Sequence, residues 1–301
     1  MSAVAFARPS VGARIAGFWA STAGFLRLLS TRPVGLVGFI GVLFFAFLGF
    51  VAPMIVPVQN TPDVSAVYVS PSWDHPLGTD FQGRDVLNQI VHGGRDILLV
   101  AFLAALFSTM IAITFGSIAA TLGGRVDTAV LAVTDVVLTL PQLIVLIVVA
   151  AIVRPQSFLL LAVILALLQW ASLLRQIRSQ VLSLKERDYV EAARSLDLGL
   201  FHIIFREMLP NMRSYIVIHF IQAMTGAMYA MVGITFLGLV PLSGTNWGIM
   251  LYFAQSQGAL FFRNSIWYIL SPILAIALVQ LSLVFLASAL EDIFNPRLRN
   301  R

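Results

Sequence analysis

Few residues of this 301-residue chain could do chemistry, and their types exclude most reactions. Its four histidines, His75, His92, His202 and His219, share metal-ligand spacing neither with one another nor with a carboxylate pair. There is no cysteine, which rules out disulfides, thiolate nucleophiles and thiolate metal sites. The one lysine, Lys185, follows Leu184, so the Gly-Lys-Ser/Thr sequence of a phosphate-cradling loop cannot form. No Gly-x-Ser-x-Gly elbow presents a nucleophile. Neither an enzyme nor a bound cofactor is expected of this chain. If ATP drives its work, another chain must hydrolyse it.

What remains is a charged run and a few polar residues in apolar surroundings. From Arg175 to Arg213 charges recur every few residues, and the central part, Lys185 to Met212, reads KERDYVEAARSLDLGLFHIIFREMLPNM. Asp188 and Glu191 have the spacing of a capping box. Tyr189, Ala192, Ala193 and Leu196 follow at i, i+3, i+4 and i+7, an apolar stripe opposite Glu191 and Arg194. Asp197, Leu198 and Gly199 supply a turn. Phe201, Ile204, Phe205 and Met208 then repeat the spacing until Leu209 and Pro210 end the helix. The pattern predicts two short amphipathic helices meeting at an elbow. Periodicity alone leaves two readings: helices lying flat under a bilayer, or a docking element. In the second, Ala192 and Ala193 admit a partner's close approach and Glu191 positions it.

The elements that carry these residues are set by hydrophobicity. With 59% apolar and 11% charged residues, and a mean hydropathy of +0.91, the chain has more apolar side chain than an interior could hold, so the excess must face lipid. Charge-free stretches predict an all-α integral membrane protein with six transmembrane helices, at about 34–58, 97–122, 128–153, 157–174, 214–239 and 265–290. A segment 1–32, an external loop 59–96, the charged loop 175–213 and a tail 291–301 complete the division. A cytosolic N-terminus puts fifteen Arg and Lys residues in inside segments and four outside, so both termini are expected in the cytosol. The net charge of +5 thus lines the inner face, and no nucleic-acid partner is implied. In the first segment, Ile15, Phe18, Trp19, Thr22 and Leu26 share one face, which predicts an interfacial helix; its arginines interrupt any signal-peptide core.

Glu191-Ala192-Ala193, a turn, and Leu209-Pro210 near the end resemble the EAA loop of ABC importer permeases. The family places glycine where this chain has Asp197, and glycine arrives two residues later at Gly199. Three further stretches resemble the peptide/nickel-type branch, in its dipeptide permease C class: His75 to Val100, Phe236 to Leu251, and Glu291 to Arg299. The resemblance implies a type I ABC importer transmembrane-domain fold with cytosolic coupling helices. It also implies a homologous second permease, two ATPase subunits that carry ATP and Mg, an extracellular solute-binding protein, and a bacterial or archaeal cytoplasmic membrane. In such a loop Asp188, Tyr189, Glu191, Ala192, Ala193, Arg194, Leu196, Asp197, Gly199, Phe201, Leu209 and Pro210 would dock the ATPase. The cargo class is a di- or oligopeptide, with oligosaccharides and nickel chelates as alternatives in the same branch. The NWG and QGAL stretches resemble oligosaccharide-transporting members.

Other residues are candidates for the path and its partners. Asp135 lies inside the third span, where a carboxylate must face protein or water; it is either a path residue or an interhelical partner. His219, Gln222, Met224, Thr225, Met228 and Met231 put polar and soft groups into the fifth span, either lining the path or serving close packing. In the external loop 240–264, Trp247, Tyr252 and Phe261 are candidates for contact with the binding protein, packing on the partner permease being the alternative. The rival class is an ion-driven secondary transporter, which would show an internal repeat with matching broken spans; none is visible.

Overall fold

A computed structural model of the chain describes residues 29–59, 61–240 and 244–294. The expected interfacial helix at Ile15 to Leu26 and residues 295–301 of the tail lie outside these residues. The described chain is helical, without strands. Helix α1 (Pro33–Phe50) is followed by α2 (Val86–Leu122), α3 (Gly124–Thr139), α4 (Gln142–Val153) and α5 (Phe158–Lys185). After the elbow come α6 (Asp188–Ser195), a second short helical segment at 200–211, α7 (Arg213–Phe236), α8 (Trp247–Ser256) and α9 (Ile266–Phe294). Among the described residues five helices are long and apolar enough to cross a membrane, and the pair α3 and α4, bent by 82° at their break, counts as a sixth if the two form one span.

The helices differ from the expected spans in three physical respects. First, the third span is not one helix. Pro141 has no N–H to continue the ladder and Leu140 before it is extended (φ −81°, ψ 130°), so α3 and α4 part there. Second, α2 begins at Val86, well before the charge-free run at Ile97, because Asp85 caps it by accepting from the Asn88 amide at 2.7 Å. Gly93 and Gly94, within the expected external loop 59–96, lie inside this helix. Third, α5 continues past Leu174 to Lys185, carrying its last turns out of the apolar layer.

Two close approaches organise the bundle. α1 lies on α9 through a face of glycines, where a Cβ at Gly38 would come within 2.6 Å of the Leu286 amide nitrogen. Against α2, Trp247 at the start of α8 is fully buried, and its indole Nε1 donates to the Ile90 carbonyl at 2.9 Å. A Cβ at Gly94 would stand 2.9 Å from the Trp247 ring. Phe45 of α1 closes the ring's other side, edge-on at 6.0 Å. The segment between α1 and α2 is ordered by buried Asp80, which accepts from the Gln82 and Arg84 amides and, at 2.8 Å, from Gln89 Nε2.

Gly94→Val should cost about 1–3 kcal/mol by forcing the indole off α2. The check is the thermal midpoint of the purified protein in detergent, with Gly233→Ala, whose Cβ meets nothing within 4 Å, as the control that should not lower it.

Candidate functional site

The elbow is rooted by its inward residues. Val190 and Ala193 of α6 are buried with Ile203 and Met208 against Ala112 and Ala120 of α2 and Ile177 and Val181 of α5. α6 then ends in a Schellman turn: the Leu198 amide donates to the Ala193 carbonyl at 3.1 Å and the Asp197 amide to the Arg194 carbonyl at 2.9 Å. Asp197 takes the left-handed conformation there (φ 53°), the position where the resembling loops have glycine. Gly199 needs no such freedom, since its φ is −57° and a Cβ there would meet nothing within 4 Å. Asp197 does not cap the next segment.

Several expectations for the loop are corrected. No capping box forms: Asp188 is already the first helical residue and Arg187 precedes it without a side-chain cap. The apolar stripe is rotated, because Val190 takes the inward place expected of Ala192 and Leu196. In the next segment a π-helical turn, Ile203–Met208, shifts the phase by its i→i+5 bonding. Ile203, Ile204 and Met208 therefore point inward, while Phe201 and Phe205 stay out. Pro210 does not stop the segment at 209; it sits where π gives way to α, and the chain turns at Met212.

The result is an exposed apolar ridge. Leu196 is 73% exposed, Phe201 69% and Phe205 50%, and the two phenyl rings stack with centroids 6.2 Å apart. Ala192, Asp188, Glu191 and Arg194 are exposed on α6 as well. Tyr189 is half-buried; burial pushes its phenol above the ordinary range, and its hydroxyl finds no partner within the described chain. Ala193, expected among the docking residues, is buried and serves the elbow's own packing.

Two ion pairs join α3 to α5. Arg178 of α5 holds both Asp127 oxygens at 2.6 Å, and Arg175 one turn earlier holds Asp135 at 2.5 Å. Asp135 is thus an interhelical partner strapping α3 to α5. Lys185 donates to the Ala120 carbonyl at 3.2 Å, where α2 approaches its end.

A polar cavity of about 450 Å³ lies between α4, α5 and α7. Gln142, Gln169, Ser172, Gln176, His219 and Gln222 line it with hydrogen-bonding groups, and no Asp, Glu, Lys or Arg does. His219 Nδ1 and Gln222 Oε1 are 2.9 Å apart, and the Gln142 amide reaches the Leu168 carbonyl at 3.1 Å. Of the candidates in the fifth span, His219 and Gln222 border this space. Met228 and Met231 are buried in the core, and Met224 faces a different, apolar cavity. Sequence reasoning missed Gln142, Gln169 and Gln176. The available signal was Gln169 and Gln176 seven residues apart in an apolar helix, on one face with Ser172.

The external candidates separate in the same way. Trp247 cannot meet another protein, being wholly buried, and Tyr252 is half-buried under Gly238. Phe261 is 91% exposed. The NWG stretch is structural: Asn246 caps α8 by accepting from the Ile249 amide at 3.0 Å, and Gly248 packs on Thr235. Among the described residues no three His, Asp or Glu side chains gather to hold a metal ion.

The family model of the binding-protein-dependent transport system inner membrane component matches residues 112–300. A Brucella suis biovar 1 protein described as a peptide permease is 38% identical over 258 residues, 85% of this chain and 83% of that one. The dipeptide transport system permease protein DppC of Bacillus subtilis is 28% identical over 91% of this chain and 85% of its own. The oligopeptide transport system permease protein OppC of the same organism is 26% identical over 91% and 88%.

Asp197→Gly should stabilise the elbow by about 0.5–1 kcal/mol, read as slower amide exchange across 188–198. A double-mutant cycle of Asp127→Asn with Arg178→Gln should give a coupling of about 0.5–3 kcal/mol. The same cycle for the half-exposed Asp135 and Arg175 should give less, about 0–1 kcal/mol.

Proposed function

The chain belongs to the family of binding-protein-dependent transport system inner membrane components, and we propose that it works beside a homologous permease in an ATP-driven importer of peptides. As a member it is a multi-pass membrane permease subunit. The observation that carries the proposal is the elbow's outward ridge of Leu196, Phe201 and Phe205, rooted on α2 and α5 yet covered by nothing among the described residues. Bulky apolar side chains stacked in that way are anchors for a partner's groove. A partner ATPase carrying ATP and Mg is the occupant we propose, with Ala192 allowing close approach and Glu191 and Arg194 fixing register.

In this reading the elbow faces the cytosol, with both termini on that side, and the opposite face, bearing Phe261, receives an extracellular binding protein. The cavity lined by Gln142, Gln169, Gln176, His219 and Gln222 forms this chain's half of the path. ATP binding and release by the partner favour one or the other opening of that path, as differential affinity for two states requires. Peptide cargo is supported by the relatives described as peptide, dipeptide and oligopeptide permeases, and by amide side chains suited to bonding main-chain amides. With the NWG stretch committed to the fold, no separate observation favours an oligosaccharide.

Purifying the tagged chain in mild detergent and identifying its companions by mass spectrometry tests this proposal. A second permease, an ATPase and a binding protein carrying peptide are expected. Recovery of the chain alone, with uptake that persists without ATP, would instead establish an ion-driven transporter. Leu196→Asp, Phe201→Asp and Glu191→Lys should each leave insertion intact while lowering uptake by about tenfold or more.

A further inference from the structure

A second cavity, of about 400 Å³, lies between α1, α2, α7 and α9, away from the polar one. Val42, Phe45, Ala46, Phe50, Leu98 and Phe102 are among its walls, and every lining residue is apolar. Phe50 is 39% exposed and Phe102 45%, so the cavity opens between α1 and α2 onto the surface of the bundle. A space with no polar lining does not hold water, and left empty it would forfeit the contacts of every side chain around it. The apolar material at hand in the bilayer is an acyl chain.

The rim supplies the other half of a lipid. Arg95 lies one turn before Leu98 and Leu99 on α2, at the boundary where the charge-free run begins, the level of lipid headgroups. Its backbone packs on Gly49, where a Cβ would come 3.3 Å from the Arg95 amide nitrogen, between the cavity residues Ala46 and Phe50. Helical side chains lean toward the helix N-terminus, which directs Arg95 out of the apolar layer. Arg95 is exposed and makes no hydrogen bond and no ion pair within 4 Å among the described residues; the half-buried Asp96 beside it feels its charge without closing a pair.

We propose that this cavity is a glycerophospholipid site on the 59–85 side of the membrane, one acyl chain lying against Phe45, Ala46 and Phe102 with the phosphate at Arg95. It is independent of the polar cavity and of the cargo reading. The occupant holds α1 against α2 and α9 where the helices leave a gap.

The test is to reconstitute the purified complex in nanodiscs of phosphatidylethanolamine and phosphatidylglycerol. These carry a trace of phosphatidylglycerol with a diazirine in its acyl chain, and adducts are mapped after irradiation. Adducts should concentrate on Phe45, Ala46, Leu99 and Phe102 over the exposed control residues Leu274 and Leu278 of α9. Ala46→Trp, or Ala46→Leu should the larger side chain impair folding, should lower cavity adducts by about fivefold or more and leave the control adducts unchanged. Arg95→Gln should lower cavity adducts at least about twofold. Equal labelling of cavity and control positions in the unsubstituted chain would overturn the proposal. So would cavity residues found joined to another polypeptide, or labelling unchanged by filling the cavity.

Discussion

Everything outward about the elbow depends on what its inner face is anchored to. Val190, Ala193, Ile203 and Met208 are buried in one apolar cluster with the ends of α2 and α5. Each large side chain buried there contributes about 1.5–3 kcal/mol, enough together to hold two short helical segments that could not stand alone. Because that face is committed, Leu196, Phe201 and Phe205 have only one direction left, away from the bundle. A force on the ridge is therefore a force on α2 and α5.

α5 is the element that links the ridge to the polar cavity. One of its faces gives Leu173, Leu174 and Ile177 to the cluster under the elbow, and another gives Gln169, Ser172 and Gln176 to the cavity. The bilayer explains why the cavity is lined by amides. Charges at this depth are costly unless paired, and Arg175 and Arg178 are taken up by Asp135 and Asp127. Neutral hydrogen-bonding groups are left to face the interior space. Pro141 sits between these functions, since α3 before it is strapped to α5 and α4 after it begins with the cavity residue Gln142.

The spans were legible because twenty apolar residues without a charge have one physical outcome in a bilayer. The turn after α6 was legible because Asp197 and Gly199 are turn-forming residue types, whereas the left-handed conformation at Asp197 rather than at Gly199 shows only in the fold. Face assignments within the elbow were less so. Periodicity assumes an unbroken α-helix, and the π turn at Ile203–Met208 and the eight-residue length of α6 defeat that assumption. Trp247 misled for a related reason: an aromatic in an external loop reads as a surface, and only the bare backbone of Gly93 and Gly94 on a distant helix shows where it is buried. Gln142, Gln169 and Gln176 come from two helices, so their convergence with His219 and Gln222 exists only in the fold.

The chain's lack of cysteine makes the central claim directly accessible. A single cysteine at Phe201→Cys, carrying a thiol-linked photoactivatable cross-linker, should be irradiated in native membranes. Its adducts should then be identified by mass spectrometry. The account predicts that the ridge is captured by an ATPase subunit, and that adding ATP changes the yield. Adducts formed with lipid alone, in membranes where uptake proceeds, would contradict it and make the elbow a pair of helices lying on the bilayer surface.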